Sequence, residues 1–272
     1  MGAISSVPLA AVVRDGFGIQ VAAWAVAATL QTERFYDATG AATFWWLTIR
    51  SLLARKDKLL RNWVNSGLVL LWSGRLGSFL VRRILKDGKD RRFDKVRTKP
   101  AAFLVYWVMQ GLWTVVTGLP VYLINAKRSE DPEGAREITA LDLVGWTCWI
   151  LGFALQVTAD SQKHAFRADP ANKDSFITTG VWAWSQHPNY FGEMAMWVGV
   201  WISSASQMQG LEYATVLCPL FNVCLLRFVS GVPLLQRHAR QKWGDDPVWQ
   251  RYHARTPLLL PNPTLSPVSK TA

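Results

Sequence analysis

Long apolar blocks alternate along this chain with short, densely charged ones, and this alternation constrains the fold more than any other feature. A spanning helix needs roughly 20 mostly apolar residues to cross about 30 Å of hydrocarbon. Three segments have this length and composition: Phe103–Leu123, Leu141–Ala159 and Pro188–Gln207. Four weaker segments follow the same pattern: Phe17–Leu30, Thr43–Ala54, Arg61–Val81 and Leu211–Val229. The pattern predicts an all-α, polytopic membrane helix bundle of about seven transmembrane helices.

The distribution of positive charge gives an orientation for this bundle. The chain has 30 Lys and Arg against 19 Asp and Glu, a net charge of +11. Cytoplasmic loops collect Lys and Arg, and seven crossings put Arg82–Lys99 and Arg237–Lys270 on one side. The smaller basic groups in Arg55–Lys58 and Lys127–Arg136 fall on the other side. We therefore expect the N-terminus outside and the C-terminus in the cytosol, in the endoplasmic reticulum membrane of a eukaryote or the inner membrane of a bacterium.

Two classes of site are not expected from the composition. Cys148, Cys218 and Cys224 lie in apolar stretches without paired CxxC spacing, so neither a disulfide nor a metal site is predicted. No RNA- or DNA-binding motif accompanies the basic surplus, and no nucleic-acid partner is expected.

Polar residues in the third predicted helix follow one face. Arg61, Asn65, Leu68, Trp72 and Arg75 are spaced by steps of four and three residues. An ionisable side chain inside a membrane costs free energy unless it faces a cavity or a partner. Arg75, near the middle of the segment, is therefore a candidate functional residue, although an ion pair with an acid elsewhere would also explain it.

The fifth predicted helix has a polar and mostly cationic face made of Gln156, Asp160, Lys163 and Arg167. On the cytosolic side, Lys and Arg suit phosphate oxygens, and an Asp suits a hydroxyl or an amide. This pattern favours a phosphorylated ligand. The alternative is a snorkelling helix end with an internal Asp160–Lys163 ion pair.

The segment that follows, Gly180–Glu193, combines several polar groups at the start of the sixth predicted helix. His187-Pro188 is typical of an entry loop and first helical turn, where free backbone N–H groups attract anions. Asn189 and Glu193 are four residues apart and share a face, and Gly192 permits close approach of a neighbour or ligand. A His before Pro is usually a capping residue, but the polar residues next to His187 in the sequence favour a binding role.

These segments together resemble the DUF1295 family, which is related to steroid 5-alpha-reductases and, more distantly, to sterol C14/C7 reductases. The resemblance extends from about residue 14 to residue 261, and the order of its motifs is specific. They are Thr32–Gly40, Thr158–Lys163, Ser185–Glu193, Ser230–Leu235 and Trp243–Tyr252.

The resemblance implies that NADPH enters from the cytosolic side and a hydrophobic substrate enters from the lipid. One domain, 1–272, would have a substrate-facing half at about 14–125 and a cofactor-binding half at about 139–262. The cofactor-binding residues implied by analogy are Gln156, Asp160, Arg167, Trp184, Asn189, Tyr190, Glu193, Arg237, His238 and Tyr252. We add Lys163 and His187 to this set from their positions in the two polar segments.

The same resemblance implies a catalytic group nearer the N-terminus. Glu33 is similar to the membrane-embedded acid that contacts the substrate carbonyl in the steroid reductases. Trp72 falls where those enzymes have a proton-donating tyrosine. Arg75, three residues later, also matches a position of those enzymes. Because an indole N–H cannot act as a practical acid, either another group protonates the substrate or the chemistry differs. Tyr36 and Asp37 are the nearest candidates for another proton donor.

Gln186 is a second departure from the family pattern, since the family commonly has Arg at this position. One positive charge that would bind a phosphate is then missing.

The predicted function is an NADPH-dependent, steroid 5-alpha-reductase-like reduction of a carbon–carbon double bond in a lipophilic, sterol- or enone-like substrate. A membrane methyltransferase of the isoprenylcysteine or phospholipid type, using S-adenosylmethionine, is the main alternative because such enzymes carry an Arg-His-Pro-x-Tyr-x-Gly turn. They usually lack counterparts of Asp160, Asn189 and Glu193, and this favours the reductase. A non-catalytic lipid-binding membrane protein is a third possibility, and the oligomeric state is left open.

Overall fold

The computed structural model of this chain describes residues 6–54, 58–127 and 137–268, and their regular secondary structure is helical. Segments 55–57, 128–136 and 269–272 contribute to the charge argument above and lie outside the described residues. The α-helices are α1 (Ser6–Leu30), α2 (Tyr36–Leu53), α3 (Leu60–Asp87), α4 (Pro100–Ala126), α5 (Ala140–Ala168), α6 (Pro188–Ala205), α7 (Leu217–Cys224), α8 (Val232–Trp243) and α9 (Pro247–Arg255).

Within the described residues, five helical segments are long and apolar enough to cross a bilayer, which confirms the prediction of an all-α membrane protein. They are Leu9–Leu30, Leu60–Asp87, Pro100–Ala126, Ala140–Ala168 and Gly210–Trp243. The last is composite, since a 3₁₀ turn, α7, a π-helical turn at Leu225–Val229 and α8 follow one another. The other two predicted segments lie on α2 and α6, each of 18 residues. The count of seven crossings stays a prediction.

Local sequence explains where α3 ends and α4 begins. Gly88 closes α3 with φ +75°, a left-handed conformation that glycine adopts without strain, and its N–H bonds Ile84 O. Pro100 opens α4 at a first-turn position, where its missing N–H costs no hydrogen bond. The charged segment between these two residues is a loop, as its composition predicts.

The helices form two compact units. The first contains the chain up to Leu143 together with Val200–Cys218, and the second contains Val144–Gly199 and the chain from Pro219 onward. Because Val200–Cys218 groups with the N-terminal helices, the division differs from the boundaries of the predicted halves. A single domain with cofactor and substrate halves stays a prediction.

In the first unit, α1 packs mainly against α4, and α2 packs mainly against α3. A buried ion pair ties the start of α3 to the start of α5. Arg61 Nε and Nη2 donate to the two carboxylate oxygens of Asp142 at 3.0 and 2.7 Å, and the two side chains are at most 1% exposed. Such a pair is costly to break, since removing either partner leaves a buried charge. Arg61 on the predicted polar face of α3 therefore has a structural role.

Candidate functional site

Helices α5 and α6 of the second unit pack so closely that their backbones touch at glycines. A Cβ placed on Gly192 would lie 2.5 Å from Gly152 O, and one placed on Gly199 would lie 2.5 Å from Gly145 O. From Gly192 to Gly199 along α6, the contacted residue on α5 moves back from Gly152 to Gly145. The two helices are therefore antiparallel. The predicted close approach at Gly192 is confirmed, and the neighbour is the backbone of α5.

This register brings four of the predicted cofactor-binding residues together in two hydrogen-bonded pairs. Asn189 Nδ2 donates to Asp160 Oδ1 at 3.1 Å. One turn along, Gln156 Nε2 donates to Glu193 Oε2 at 2.5 Å. We call these four residues the α5–α6 polar seam.

Sequence reasoning did not single out Trp197, which orients the second pair. Its indole Nε1 donates to Glu193 Oε1 at 3.0 Å, one helical turn along α6. The signal that could have found it is the spacing of four residues between Glu193 and Trp197. Glu193 is thus held on both oxygens and presents its carboxylate in one orientation.

The polar seam is a concentration of carboxylates and amides on a mostly apolar helix pair. An ionised carboxylate has about four acceptor positions, so Asp160 and Glu193 can accept from ligand hydroxyl or amide groups as well as from their protein partners. Asn189 and Gln156 add amide donors and acceptors. A ribose or a carboxamide matches this donor and acceptor set.

The cationic end of α5 continues the same face. Lys163 Nζ lies 4.8 Å from the centroid of the Trp182 ring, a cation–π contact. Trp182 is itself fixed to α5, because its Nε1 donates to Ala159 O at 2.9 Å. Arg167 is exposed one turn beyond Lys163. The two cations are therefore placed differently, one against an aromatic ring and the other in solvent.

The C-terminal chain holds the loop that leads into α6. Ser185 Oγ donates to Leu259 O at 2.8 Å, and Gln186 N donates to Pro257 O at 2.9 Å. Tyr252 OH donates to Trp182 O at 2.7 Å. Burial raises the pKa of the Tyr252 hydroxyl above its usual range. Tyr252, a predicted cofactor-binding residue, thus uses its hydroxyl on the backbone of the loop.

Gln186 has a structural role. Its Nε2 donates to Thr256 O at 2.6 Å and His253 O at 3.1 Å. Its Oε1 accepts from Gln236 Nε2 at 2.8 Å. The side chain is 8% exposed, so it joins α8, α9 and the loop rather than facing a ligand.

His187 lies beside this network as a neutral ring. Its Nε2 is 3.0 Å from Gln236 Nε2, and its ring stacks on Tyr190 with centroids 5.7 Å apart. Burial first, and then the positive charges of Lys163 and Arg227, lower the pKa of His187 to about 4. A neutral ring can accept from Gln236 through Nε2, which a protonated ring could not do.

The remaining predicted cofactor-binding residues are more loosely connected. Trp184 is held through its backbone, whose carbonyl accepts from Asn262 N at 2.9 Å. Arg237 and His238 are exposed on α8, and His238 meets Trp243 edge-on at 6.5 Å. Among the described residues, neither Arg237 nor His238 is hydrogen-bonded to the polar seam.

The predicted catalytic residues belong to the first unit, where two of them, Glu33 and Asp37, bond to a charged loop. Glu33, 2% exposed, accepts from Asp90 N at 2.9 Å and from Arg97 Nη1 at 3.1 Å. Asp37 accepts from Arg83 at 2.7 Å and from Arg92 at 3.0 Å. Glu33 therefore ties the loop between α1 and α2 to the basic loop before α4, and Asp37 ties the first turn of α2 to that loop and to α3. The sequence did not reveal this role.

Tyr36 is anchored in an aromatic cluster. Its hydroxyl donates to Tyr106 O at 2.9 Å, and its ring packs against Phe93 and Trp107. The phenolic proton is therefore already used in a hydrogen bond to the backbone of α4, and Tyr36 would have to give up that bond to donate to a substrate.

Trp72 and Arg75 lie on α3, apart from the loop residues in sequence. Trp72 is 2% exposed and packs edge-on against Phe44, with centroids 5.0 Å apart, and against Trp113 at 6.0 Å. Arg75 is half-buried one turn further along. The structure thus places Glu33 and Asp37 against a charged loop, Tyr36 in one aromatic cluster, and Trp72 of α3 in a second aromatic cluster.

Fold and site together describe a helical membrane protein with a polar, ligand-suited seam between two closely packed helices. The chain belongs to the family described as "Protein of unknown function (DUF1295)", whose profile matches residues 23–256. It is also similar to the Delta(14)-sterol reductase LBR of Gallus gallus, with 28% identity over 120 residues. That match covers 39% of this chain and 18% of the relative, so the chain spans less than a fifth of the relative's length. No solved structure matches this chain.

Proposed function

We propose that this protein is an NADPH-dependent reductase of a carbon–carbon double bond in a lipophilic, sterol- or enone-like substrate. The observation that carries the proposal is the α5–α6 polar seam, where Asp160 meets Asn189 and Gln156 meets Glu193. Membership of the family and similarity to a protein named as a sterol reductase support the same conclusion.

The residues of the second unit fit a phosphorylated dinucleotide by their chemistry. Asp160 and Glu193 are acceptors for ribose hydroxyl or carboxamide groups, and Asn189 offers both functions of an amide. Lys163 and Arg167 supply positive charge on the same helix face for phosphate oxygens. NADPH, when bound, supplies the hydride. The contribution of the protein at this site is binding and orientation.

For the substrate we keep Glu33 as the proposed group that polarises or protonates the acceptor end. In the structure it is a buried carboxylate that accepts from Arg97 and from the backbone N–H of Asp90. To act as an acid it would have to take up a proton from water and release one of these donors before it donates to the substrate. Arg75, Trp72, Tyr36 and Asp37 remain proposed members of the substrate-facing half.

We further propose seven crossings with the N-terminus outside and the C-terminus in the cytosol. Under this proposal α2 and α6 cross the membrane in addition to the five long segments. The membrane would be the endoplasmic reticulum in a eukaryote or the inner membrane in a bacterium. Reporter fusions after residues 57, 136 and 268 test the topology, and a cytosolic signal at residue 57 or 136 would contradict it.

Titration of the purified protein in detergent with NADPH and with S-adenosylmethionine tests the cofactor. We expect saturable binding of NADPH that is lost in Asn189→Ala and Asp160→Ala, and no comparable binding of S-adenosylmethionine. Tight binding of the methyl donor without dinucleotide binding would instead favour the methyltransferase. Binding of a lipid ligand with neither cofactor would favour a lipid-binding protein.

A further inference from the structure

A long cavity lies along α2 in the first unit. Its volume is about 1010 Å³, and α1 and α3 supply the rest of its walls. This volume is at the upper end of the roughly 300–1,000 Å³ that small-molecule sites span. None of the five proposed catalytic residues is among those described as its lining. We call this cavity the α2 groove.

The walls of the α2 groove are suited to a hydrocarbon chain. Ala42 of α2 lines it together with Gly74 and the neighbouring small residues of α3, and Trp45 and Trp46 are also part of the lining. Both tryptophans are about half exposed, at 44% and 52%. The lining runs from Ala38 to Ala54, a rise of about 24 Å in a helix. This is most of the ~30 Å thickness of the hydrocarbon layer, so the groove has the elongated shape of an extended chain.

One end of the α2 groove carries excess positive charge. Arg50, which lines the groove, donates through Nε to Asp15 at 3.0 Å, and Arg14 donates to the same carboxylate at 2.8 Å. Two guanidinium groups therefore share one carboxylate. Their side chains are 39% and 71% exposed, which leaves donors free to reach a further anion.

Trp46 fixes the depth of this charged end. Its indole Nε1 donates to Asp15 Oδ2 at 3.1 Å. Tryptophan rings concentrate at the headgroup level of a bilayer, and guanidinium groups pair with phosphate oxygens. The walls of the groove suit a hydrocarbon chain, and its charged end suits an anion. A ligand with both parts is an amphiphile.

We propose that the α2 groove binds a membrane phospholipid with an anionic headgroup, with an acyl chain along α2 and the headgroup phosphate at Arg50 and Arg14. The site is separate from the proposed cofactor residues, and the proposal does not depend on a reductase activity. Charge complementarity selects the headgroup, and the shape of the groove selects the chain.

Competition between two lipids with identical chains tests the proposal. The full-length protein in detergent is equilibrated with equal amounts of dioleoylphosphatidylglycerol and dioleoylphosphatidylcholine, and the retained lipid is counted by native mass spectrometry. We expect about tenfold preference for the anionic lipid, since a charge-assisted hydrogen bond supplies a difference of this order. Inorganic phosphate added alone should not displace it.

Matched variants separate the headgroup from the chain. Arg50→Gln should abolish the preference, and Arg14→Gln, at a more exposed position, should reduce it. Ala42→Trp should fill the groove and reduce retention of both lipids. The controls are Arg91→Gln in the basic loop and Ala22→Trp on the exposed face of α1, and both should behave like the wild type.

The proposal is overturned by equal retention of the two lipids, or by a preference that survives both arginine variants. Retention unchanged in Ala42→Trp would remove the groove as the chain site. Displacement of the lipid by inorganic phosphate would assign the charged end to a soluble anion. Preferential retention of cholesterol over both phospholipids would assign the groove to a neutral sterol.

Discussion

The side-chain amide of Asn189 on α6 donates to the carboxylate of Asp160 on α5 across 3.1 Å. The two residues are 29 positions apart in the sequence, and they meet because glycines let the two helices pack backbone against backbone. A carboxylate fixed by an amide is pre-oriented, and a ligand that binds it does not have to order it first.

If this pair binds the cofactor, its loss will weaken NADPH binding more than it weakens the fold. We expect Asn189→Ala and Asp160→Asn each to raise the NADPH dissociation constant about tenfold or more, since a hydrogen bond to a charged group contributes roughly 1.5–3 kcal/mol. Fluorescence titration in detergent measures this. Gln209→Ala, at a residue of the first unit, is the control and should bind as the wild type does. Unchanged affinity in both seam variants would reject the pair as a cofactor site.

The two cations of α5 should discriminate between phosphorylated and unphosphorylated dinucleotides. Lys163→Ala and Arg167→Ala are expected to weaken NADPH binding more than NADH binding, because each removes positive charge that meets the additional phosphate. Parallel titrations with the two cofactors give the ratio of dissociation constants. Lys173→Ala, an exposed cation in the following loop, should leave that ratio unchanged. An equal loss for both cofactors would remove phosphate recognition from these residues.

The glycine contacts between α5 and α6 should not tolerate a methyl group. Gly192→Ala would bring a Cβ to 2.5 Å from Gly152 O, and overpacking of this kind costs about 1–3 kcal/mol. We expect a lower melting temperature in detergent and weaker NADPH binding. Gly67→Ala is the control, because nothing lies within 4 Å of the position that its Cβ would occupy and Ala is favoured over Gly in a helix by about 0.5–1 kcal/mol. A neutral effect of Gly192→Ala would show that the helix pair can separate without loss.

Catalysis and loop stability can be separated at the Glu33–Arg97 ion pair. If Glu33 acts on substrate, Glu33→Gln abolishes NADPH oxidation in the presence of an enone substrate while NADPH affinity changes less than about twofold. Arg97→Gln removes the same ion pair but keeps the carboxylate, so turnover should remain measurable. Equal loss of turnover and of melting temperature in the two variants would instead assign Glu33 to holding the loop before α4.

His187 predicts how stability changes with pH. Its pKa is lowered to about 4 in the folded protein, chiefly by burial, against about 6.5 in an unfolded chain. The unfolded state therefore binds the proton first as pH falls, and stability declines between about pH 6.5 and pH 4 by on the order of 3 kcal/mol. Above pH 6.5 this contribution is fully present.

Melting temperatures measured across this range test the assignment. His187→Gln should flatten the decline between pH 6.5 and pH 4 relative to the wild type, although its melting temperature at neutral pH is lower. His164→Gln, at an exposed position of α5, should keep the wild-type slope. A slope that persists unchanged in His187→Gln would assign the decline to other groups.

Helix positions followed from the sequence because they depend on composition and local spacing. The face Gln156, Asp160, Lys163 and Arg167 was predicted from steps of four and three residues, and α5 is a single helix through all four. The pairing of Asp160 with Asn189 was beyond such reasoning. It depends on the register between two helices, which the contacts of Gly192 and its neighbours set.

The surroundings of Glu33 are a second feature that the sequence did not predict. The family resemblance implies a membrane-embedded acid at this position, which stays a prediction. In the structure Glu33 lies in a loop and accepts from Arg97 and from Asp90 N. These partners are more than fifty residues away in the sequence. No local periodicity reports a contact at that separation, so the ion pair could not be foreseen.

The stretch after α9 supplies main-chain oxygens to the loop that leads into α6. Pro257 O accepts from Gln186 N, and Leu259 O accepts from Ser185 Oγ. Removing the chain beyond Tyr252 would therefore strip acceptors from the entry to the proposed cofactor helix, far upstream in sequence. A truncation that removes Pro257 and Leu259 is thus expected to disturb the proposed cofactor site although it deletes none of the proposed α5 and α6 residues.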